Sequence, residues 1–172
     1  MKLYTYQTNH DGVDRIGVEC AGWRGMLWPL EAFGLKFADM RDLICHITPV
    51  QLSRIADAEN ATEGNALRLT NVRLRSPIPH PEQDIICLGI NYADHAVESA
   101  RFHEQSFLLS REKATYFSKR AYETTGSGDP IPAYEGLVTE LDYEVELGVI
   151  IGKDCKSVSV SEAPNYIFGY TI

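Results

Sequence analysis

The chain has 172 residues, enough for one domain with a real core, and its 44% hydrophobic and 23% charged residues are the balance of a globular chain rather than a disordered one. A formal net charge of -8 argues against nucleic acid or an anionic membrane surface as a partner. No apolar run approaches the ~18 residues that cross a bilayer, and Met1-Lys2-Leu3-Tyr4-Thr5-Tyr6 has no apolar signal core, so the expectation is a cytoplasmic protein with no membrane span.

Lys2 to Gln7, rich in Tyr and Thr, predicts a strand, and Asn9-His10-Asp11-Gly12 a turn. Arg15 to Cys20 and Arg24 to Pro29 predict two more strands around a tight Ala21-Gly22 turn. Asp39 is placed to cap a short helix through Cys45, and Thr48 with Pro49 opens a second running to about Ala58. His46 lies beside the end of the first helix, where positive charge is tolerated, and is assigned no chemistry. Leu67 to Leu74 alternates as a strand but slips by one residue at Thr70-Asn71, which predicts a bulge or a break. Ser76-Pro77-Ile78-Pro79-His80-Pro81 excludes a helix or a central strand and reads as an extended linker, with His80 an exposed side chain. The cysteines, Cys20, Cys45, Cys87 and Cys155, are scattered without Cys-x-x-Cys, so they are expected to be reduced, mostly buried thiols.

Ile85 to Leu88 predicts a buried strand. Gly89 turns the chain, and a polar cluster of Asn91, Tyr92, Asp94 and His95 follows at the strand's carboxyl end. Asp94 is placed to cap a short helix that sets His95 and Glu98 three residues apart on one face. A carboxylate beside an imidazole orients it and raises its basicity, as a general base requires. A lone His after a strand is more often structural. Ser99 to Lys113 reads as a surface helix or loop. Thr115 to Ser118 is a short strand delivering Lys119 and Arg120, and Glu123 to Pro130 a flexible, turn-rich loop.

Leu141 to Lys153 carries the sharpest pattern. Asp142, Glu144 and Glu146 alternate with Leu141, Tyr143, Val145 and Leu147, which is the period of a β-strand. Residues i and i+2 share a face roughly 6.6 Å apart, so the Glu144 and Glu146 carboxylates are able to lean toward one point. Val149-Ile150-Ile151 then turns apolar on both faces, which predicts burial on both sides. An acidic stripe entering a buried segment calls for a cation. Oxygen ligands favour magnesium, manganese or calcium over zinc. The plainer alternative is a solvated acidic face. Ser161-Glu162-Ala163 predicts a helical turn limited by Pro164, and Ile167 to Ile172 another strand. The chain stops inside that apolar run, so it is expected to be a fragment whose bare strand edge self-associates.

Several stretches together resemble the fumarylacetoacetate hydrolase family. They are Gly89 to Glu98, Tyr116-Phe117-Ser118-Lys119, Gly128-Asp129-Pro130-Ile131, Leu141 to Gly152 and Ile167 to Thr171, in the family's order and spacing from about residue 67 onward. The resemblance implies an α+β, β-rich fold: a small N-terminal α+β domain over residues 1–75, then the first part of a mixed β-sandwich roll over 76–172. It implies a homodimer and a magnesium-type cation held by Glu144 and Glu146. An aspartate beyond Ile172 would complete the metal triad. The family often has Pro after the lysine, where this chain has Arg120.

The chemistry implied is metal-dependent hydrolysis or C–C cleavage of α-keto or 1,3-diketo acids. His95, oriented by Glu98, would activate water, and Lys119 with Asn91 and Tyr92 would hold carboxylate or a developing oxyanion. Acylpyruvates, fumarylpyruvate, oxaloacetate and hydroxylated dienoates are all candidate substrates. The alternatives are isomerisation or decarboxylation on the same site, or a non-catalytic assembly module built on the same fold.

Overall fold

The structure, a computed structural model, describes residues 1–8, 11–61, 66–89, 91–92 and 114–172. These fall into two compact units: Met1–Pro79 together with Thr125–Ile172, and His80–Thr124. Among the described residues the chain is α+β and rich in strands, the class the sequence leads one to expect.

In the first unit, β1 (Lys2–Gln7), β2 (Arg15–Glu19) and β3 (Met26–Pro29) form an antiparallel meander. Helix α1 (Met40–His46) begins where the sequence places its cap: Asp39 Oδ1 accepts the Asp42 N–H at 2.8 Å. Helix α2 (Pro49–Ile55) has a full capping box between Thr48 and Gln51, with Pro49 in the first turn where its missing N–H is not needed. It stops at Ile55, short of the expected Ala58, and a 3₁₀ turn over Ala58–Asn60 follows. His46 spends its Nδ1 on Asp42, 2.8 Å from Oδ1, within its own helix.

The slip at Thr70-Asn71 is a real break. Strand β4 (Leu67–Arg68) ends, Leu69–Asn71 makes a 3₁₀ turn, and β5 (Arg73–Leu74) begins. The two short strands pair at opposite edges of one sheet, ordered β4-β3-β2-β1-β5. At about 4.8 Å per strand a flat sheet would hold those edges about 19 Å apart. The single 3₁₀ turn that joins them cannot reach so far. The sheet is therefore curled until its edges approach. Curling explains why Thr5, Tyr6 and Gln7 at the end of β1 are all buried, where a flat half-covered strand would alternate.

Both faces of this sheet are packed: Val18 and Trp28 share the face that joins the apolar cluster with the helices, while Leu27 lies on the opposite face against Gly17. Val18, Leu27, Phe33, Leu43 and Ile55 are essentially inaccessible. They come from β2, β3, the 3₁₀ turn Leu30–Phe33, α1 and α2 respectively. Glu19 is the buried carboxylate among the described residues of this unit. It accepts the Tyr4 hydroxyl at 2.7 Å and the Gly25 N–H at 3.1 Å, and lies 3.8 Å from Lys2 Nζ. The Tyr4 hydrogen bond holds the Glu19 carboxyl's pKa below the usual carboxylate range, while burial and that bond push the Tyr4 phenol up to about 12.

Gly17 shows how tight the packing is. A Cβ there would lie 2.7 Å from both Cγ and Cδ1 of Leu27, which has no exposed surface and nowhere to move. Gly17→Ala removes an entropic penalty of about 0.5–1 kcal/mol, but overpacking costs about 1–3 kcal/mol and wins. The variant is expected to unfold at lower urea concentration with an unchanged slope. A midpoint at or above wild type would show that Leu27 has room to shift.

Ser76 to Pro81 forms neither helix nor strand, as expected, yet Ser76 is buried and the Pro77 carbonyl accepts the Thr5 hydroxyl at 2.7 Å. Strands β8 (Gly148–Ile151) and β9 (Ile167–Thr171) pair antiparallel with a bulge at Ile150/Ile151, and Ile150 and Phe168 pack against the core. Pro164 does not end the turn before β9. It sits in the first turn of a 3₁₀ helix over Ala163–Tyr166, where its ring is tolerated.

The second unit contains the antiparallel ribbon of β6 (Ile85–Leu88) and β7 (Tyr116–Lys119). Two burial expectations are corrected here. Ile85, Ile86 and Leu88 are exposed in β6, and Val149 and Ile151 are exposed in β8. Each of these strands belongs to a two-stranded ribbon among the described residues, and Ile150 and Phe168 are the β8–β9 side chains that pack against the core. The cysteines also differ from expectation: all are free thiols, but Cys20 alone is buried, with Cys45 and Cys155 exposed and Cys87 intermediate.

Candidate active site

The expected strand does not extend over the acidic stripe. Residues 141–147 are all exposed and carry no ladder pairing; the ladder starts at Gly148, opposite Thr171, the last residue of β9. A strand needs a facing strand, and none faces 141–147 among the described residues. Before it the chain turns at Tyr134, held in the left-handed region at φ 50°, with the Leu137 and Val138 N–H groups donating to its carbonyl.

Glu144 and Glu146 thus stand in exposed chain that belongs to no helix or strand. Neither makes an ion pair or hydrogen bond with another described residue, which leaves both carboxylates open to a ligand. Their hard oxygen donors suit magnesium, manganese or calcium. No group of three or more His, Cys, Asp and Glu able to hold a metal occurs among the described residues.

Lys119, Asn91 and Tyr92 belong to the other unit, His80–Thr124, and all three are exposed. Lys119 is the last residue of β7, its Nζ 5.9 Å from the centre of the Phe117 ring two residues back on the same strand face. It pairs with Ile85 at one end of the ribbon. Leu88 pairs with Tyr116 at the other end, and the Gly89 N–H donates to the Thr115 carbonyl at 2.9 Å before the chain reaches Asn91. The register therefore sets the Lys119 backbone about 13 Å along the ribbon from Gly89. His95 and Glu98 lie outside the described residues.

One charged cluster is not legible in the sequence. Asp129, read as part of a flexible loop, is held by two arginines of the β5 stretch. Arg73 donates to its Oδ1 through Nη2 at 2.7 Å and Nε at 3.2 Å, and Arg75 Nη1 lies 3.4 Å from its Oδ2. The Arg73 bonds hold the Asp129 carboxyl below the usual carboxylate range. Gln7 and Asp14 extend the cluster: Gln7 donates to Asp14 Oδ1 at 2.7 Å, Arg73 Nη1 donates to Gln7 Oε1 at 3.3 Å, and Arg75 Nε lies 3.5 Å from Asp14 Oδ1. Asp129 and its two arginines are more than fifty positions apart in sequence, which is why no local motif signals the pairing.

The model of the family described as Fumarylacetoacetate (FAA) hydrolase C-terminal matches residues 84–172, the stretch that holds Asn91, Tyr92, His95, Glu98, Lys119, Glu144 and Glu146. The chain is 39% identical over 123 residues to the oxaloacetate tautomerase YisK of Bacillus subtilis, covering 71% of this chain and 39% of that protein. It is 31% identical over 175 residues to the mitochondrial oxaloacetate tautomerase fahd2 of Xenopus laevis, covering all of this chain and 50% of that protein. The chain thus spans half or less of the length of these curated relatives. Among solved structures it resembles a fumarylacetoacetate hydrolase from Exiguobacterium antarcticum, with a TM-score of 0.59 and 29% identity over 98% of this chain and 54% of that one. With more than half of its residues matched by the family model and its fold shared with a solved member, the chain belongs to the fumarylacetoacetate hydrolase family.

Proposed function

We propose that this chain carries part of the active site of an enzyme acting on α-keto or 1,3-diketo acids by proton transfer next to a carbonyl group. The observation that carries the reading is the family match over 84–172, which runs through Asn91, Tyr92, His95, Glu98, Lys119, Glu144 and Glu146. Two relatives named as oxaloacetate tautomerases favour tautomerisation as the reaction. In that reaction the base removes a proton from the carbon beside the carbonyl, the freed electron pair forms the C=C bond, and the carbonyl oxygen gains a proton. Hydrolytic C–C cleavage is the second reading, favoured by the solved hydrolase. There water adds to a carbonyl, the C–C bond breaks, and the departing carbon takes a proton.

Both reactions develop negative charge on an enol oxygen, and both need a base of moderate strength. In this proposal His95 is the base and Glu98 orients its ring. The Lys119 ammonium binds the substrate carboxylate, and Asn91 and Tyr92 offer hydrogen bonds to its oxygens. Glu144 and Glu146 hold a divalent cation, which when bound supplies Lewis-acid polarisation of the substrate oxygens. The exposed apolar residues Val149, Ile151 and Tyr170 on the β8–β9 ribbon support assembly as a homodimer.

Titrating manganese into the protein, with the free ion followed by its spin resonance, tests the cation. Glu144→Gln and Glu146→Gln are each expected to weaken binding by about tenfold or more, equivalent to about 1.4 kcal/mol. Both side chains are exposed, so neither substitution disturbs a packed core, and circular dichroism checks the fold. Equal affinity in both variants would remove these residues from the metal site.

A further inference from the structure

We infer that Asp129 is a latch at the base of the His80–Thr124 unit: it ties the stretch on which the chain returns from that unit to the β5 stretch from which it leaves. The chain crosses between its two units twice, after Pro79 and after Thr124. The residues flanking those crossings are held together on both sides.

Within the first unit, Arg73 and Arg75 lie just before the outgoing crossing and Asp129 just after the returning one, and the carboxylate bridges both guanidiniums. Asp129 also braces its own loop. Its Oδ2 accepts the Gly126 N–H at 3.1 Å, and its N–H donates to the Gly126 carbonyl at 3.2 Å. Gly126 lies so close to β5 that a Cβ there would sit 2.9 Å from both Arg75 Cα and the Leu74 carbonyl oxygen. Those are backbone atoms, which have no rotamer to escape into. Gly126 is thus required by space rather than by an unusual dihedral angle.

Within the second unit, the two ends meet as well. The His80 Nδ1–H donates to the Tyr122 carbonyl at 3.1 Å, and the two rings form an edge contact with centroids 5.7 Å apart. Each unit thus ties together its own two ends of the crossing, the first by a charge cluster and the second by a ring pair. The latch stands apart from the proposed activity, since it uses none of the residues assigned to the reaction.

Amide hydrogen exchange read by mass spectrometry tests it. Asp129→Asn keeps the shape and removes the charge that engages both arginines. Peptides covering 73–80 and 122–130 are expected to exchange about tenfold faster or more, while peptides containing Val18, Leu27, Phe33 and Leu43 keep wild-type protection. Gly126→Ala attacks the same contact by bulk instead of charge and is expected to give the same local pattern. Unchanged exchange at the base in both variants would overturn the inference. So would a uniform rise across the chain in both, because the cluster would then be supporting the whole first unit rather than the base.

Discussion

His95→Ala is expected to lower kcat by about 10²–10⁴ if the imidazole is the proton acceptor. The size follows from the chemistry: a carbon-bound proton next to a carbonyl leaves slowly to water, and a positioned base supplies the missing driving force. The pH profile gives the sharper test. A neutral imidazole accepts a proton and an imidazolium does not, so activity of the wild type should fall as the solution becomes acidic through the histidine's titration. The alanine variant should lose that acidic limb along with its rate. Assays with oxaloacetate and with an acylpyruvate, read by enol absorbance and by product release, separate tautomerisation from cleavage. A variant that turns over either substrate at the wild-type rate, with the limb intact, would take His95 out of the mechanism.

Phe33→Ala is expected to cost about 3–5 kcal/mol. Phe33 has no exposed surface and sits at the end of a 3₁₀ turn locked by Gly34, which adopts φ 69° and donates its N–H to the Glu31 carbonyl at 2.9 Å. That lock prevents the backbone from sinking into the space a lost ring would leave, so the cavity persists. Total stabilities of domains this size run to about 5–15 kcal/mol, and the loss would be a large fraction of the whole. Urea unfolding should show a lower midpoint with the same slope. A loss under about 1 kcal/mol would mean that the ring is not part of a packed core.

The elements that were legible in the sequence are those whose signals are local. Asp39 and the Thr48-Pro49-Gln51 run mark two helix starts because a cap satisfies N–H groups only two or three residues away. The slip at Thr70-Asn71 marks the change of sheet edge because side-chain alternation is counted along the chain itself. Residues 141–147 alternate just as clearly and yet form no strand, because pairing depends on a facing segment that the pattern does not contain. Val149, Ile151 and Ile86 are apolar and exposed for the same reason: composition states what a residue would gain by burial, not what covers it. At the candidate site, the family pattern was readable along the stretch that the family model matches, residues 84–172. The arginine partners of Asp129 were not, since the ion pair joins segments that only the folded chain brings together.

The curled sheet also imposes a timetable on synthesis. Strand β1 meets β2 almost at once, but its other neighbour is β5, and Tyr6 cannot pair with Leu74 until everything between them has left the ribosome. Until then the outer rim of β1 offers unpaired N–H and C=O groups to any passing polypeptide. The nascent chain is stickiest along that rim, and the arrival of β5 is the event that seals it.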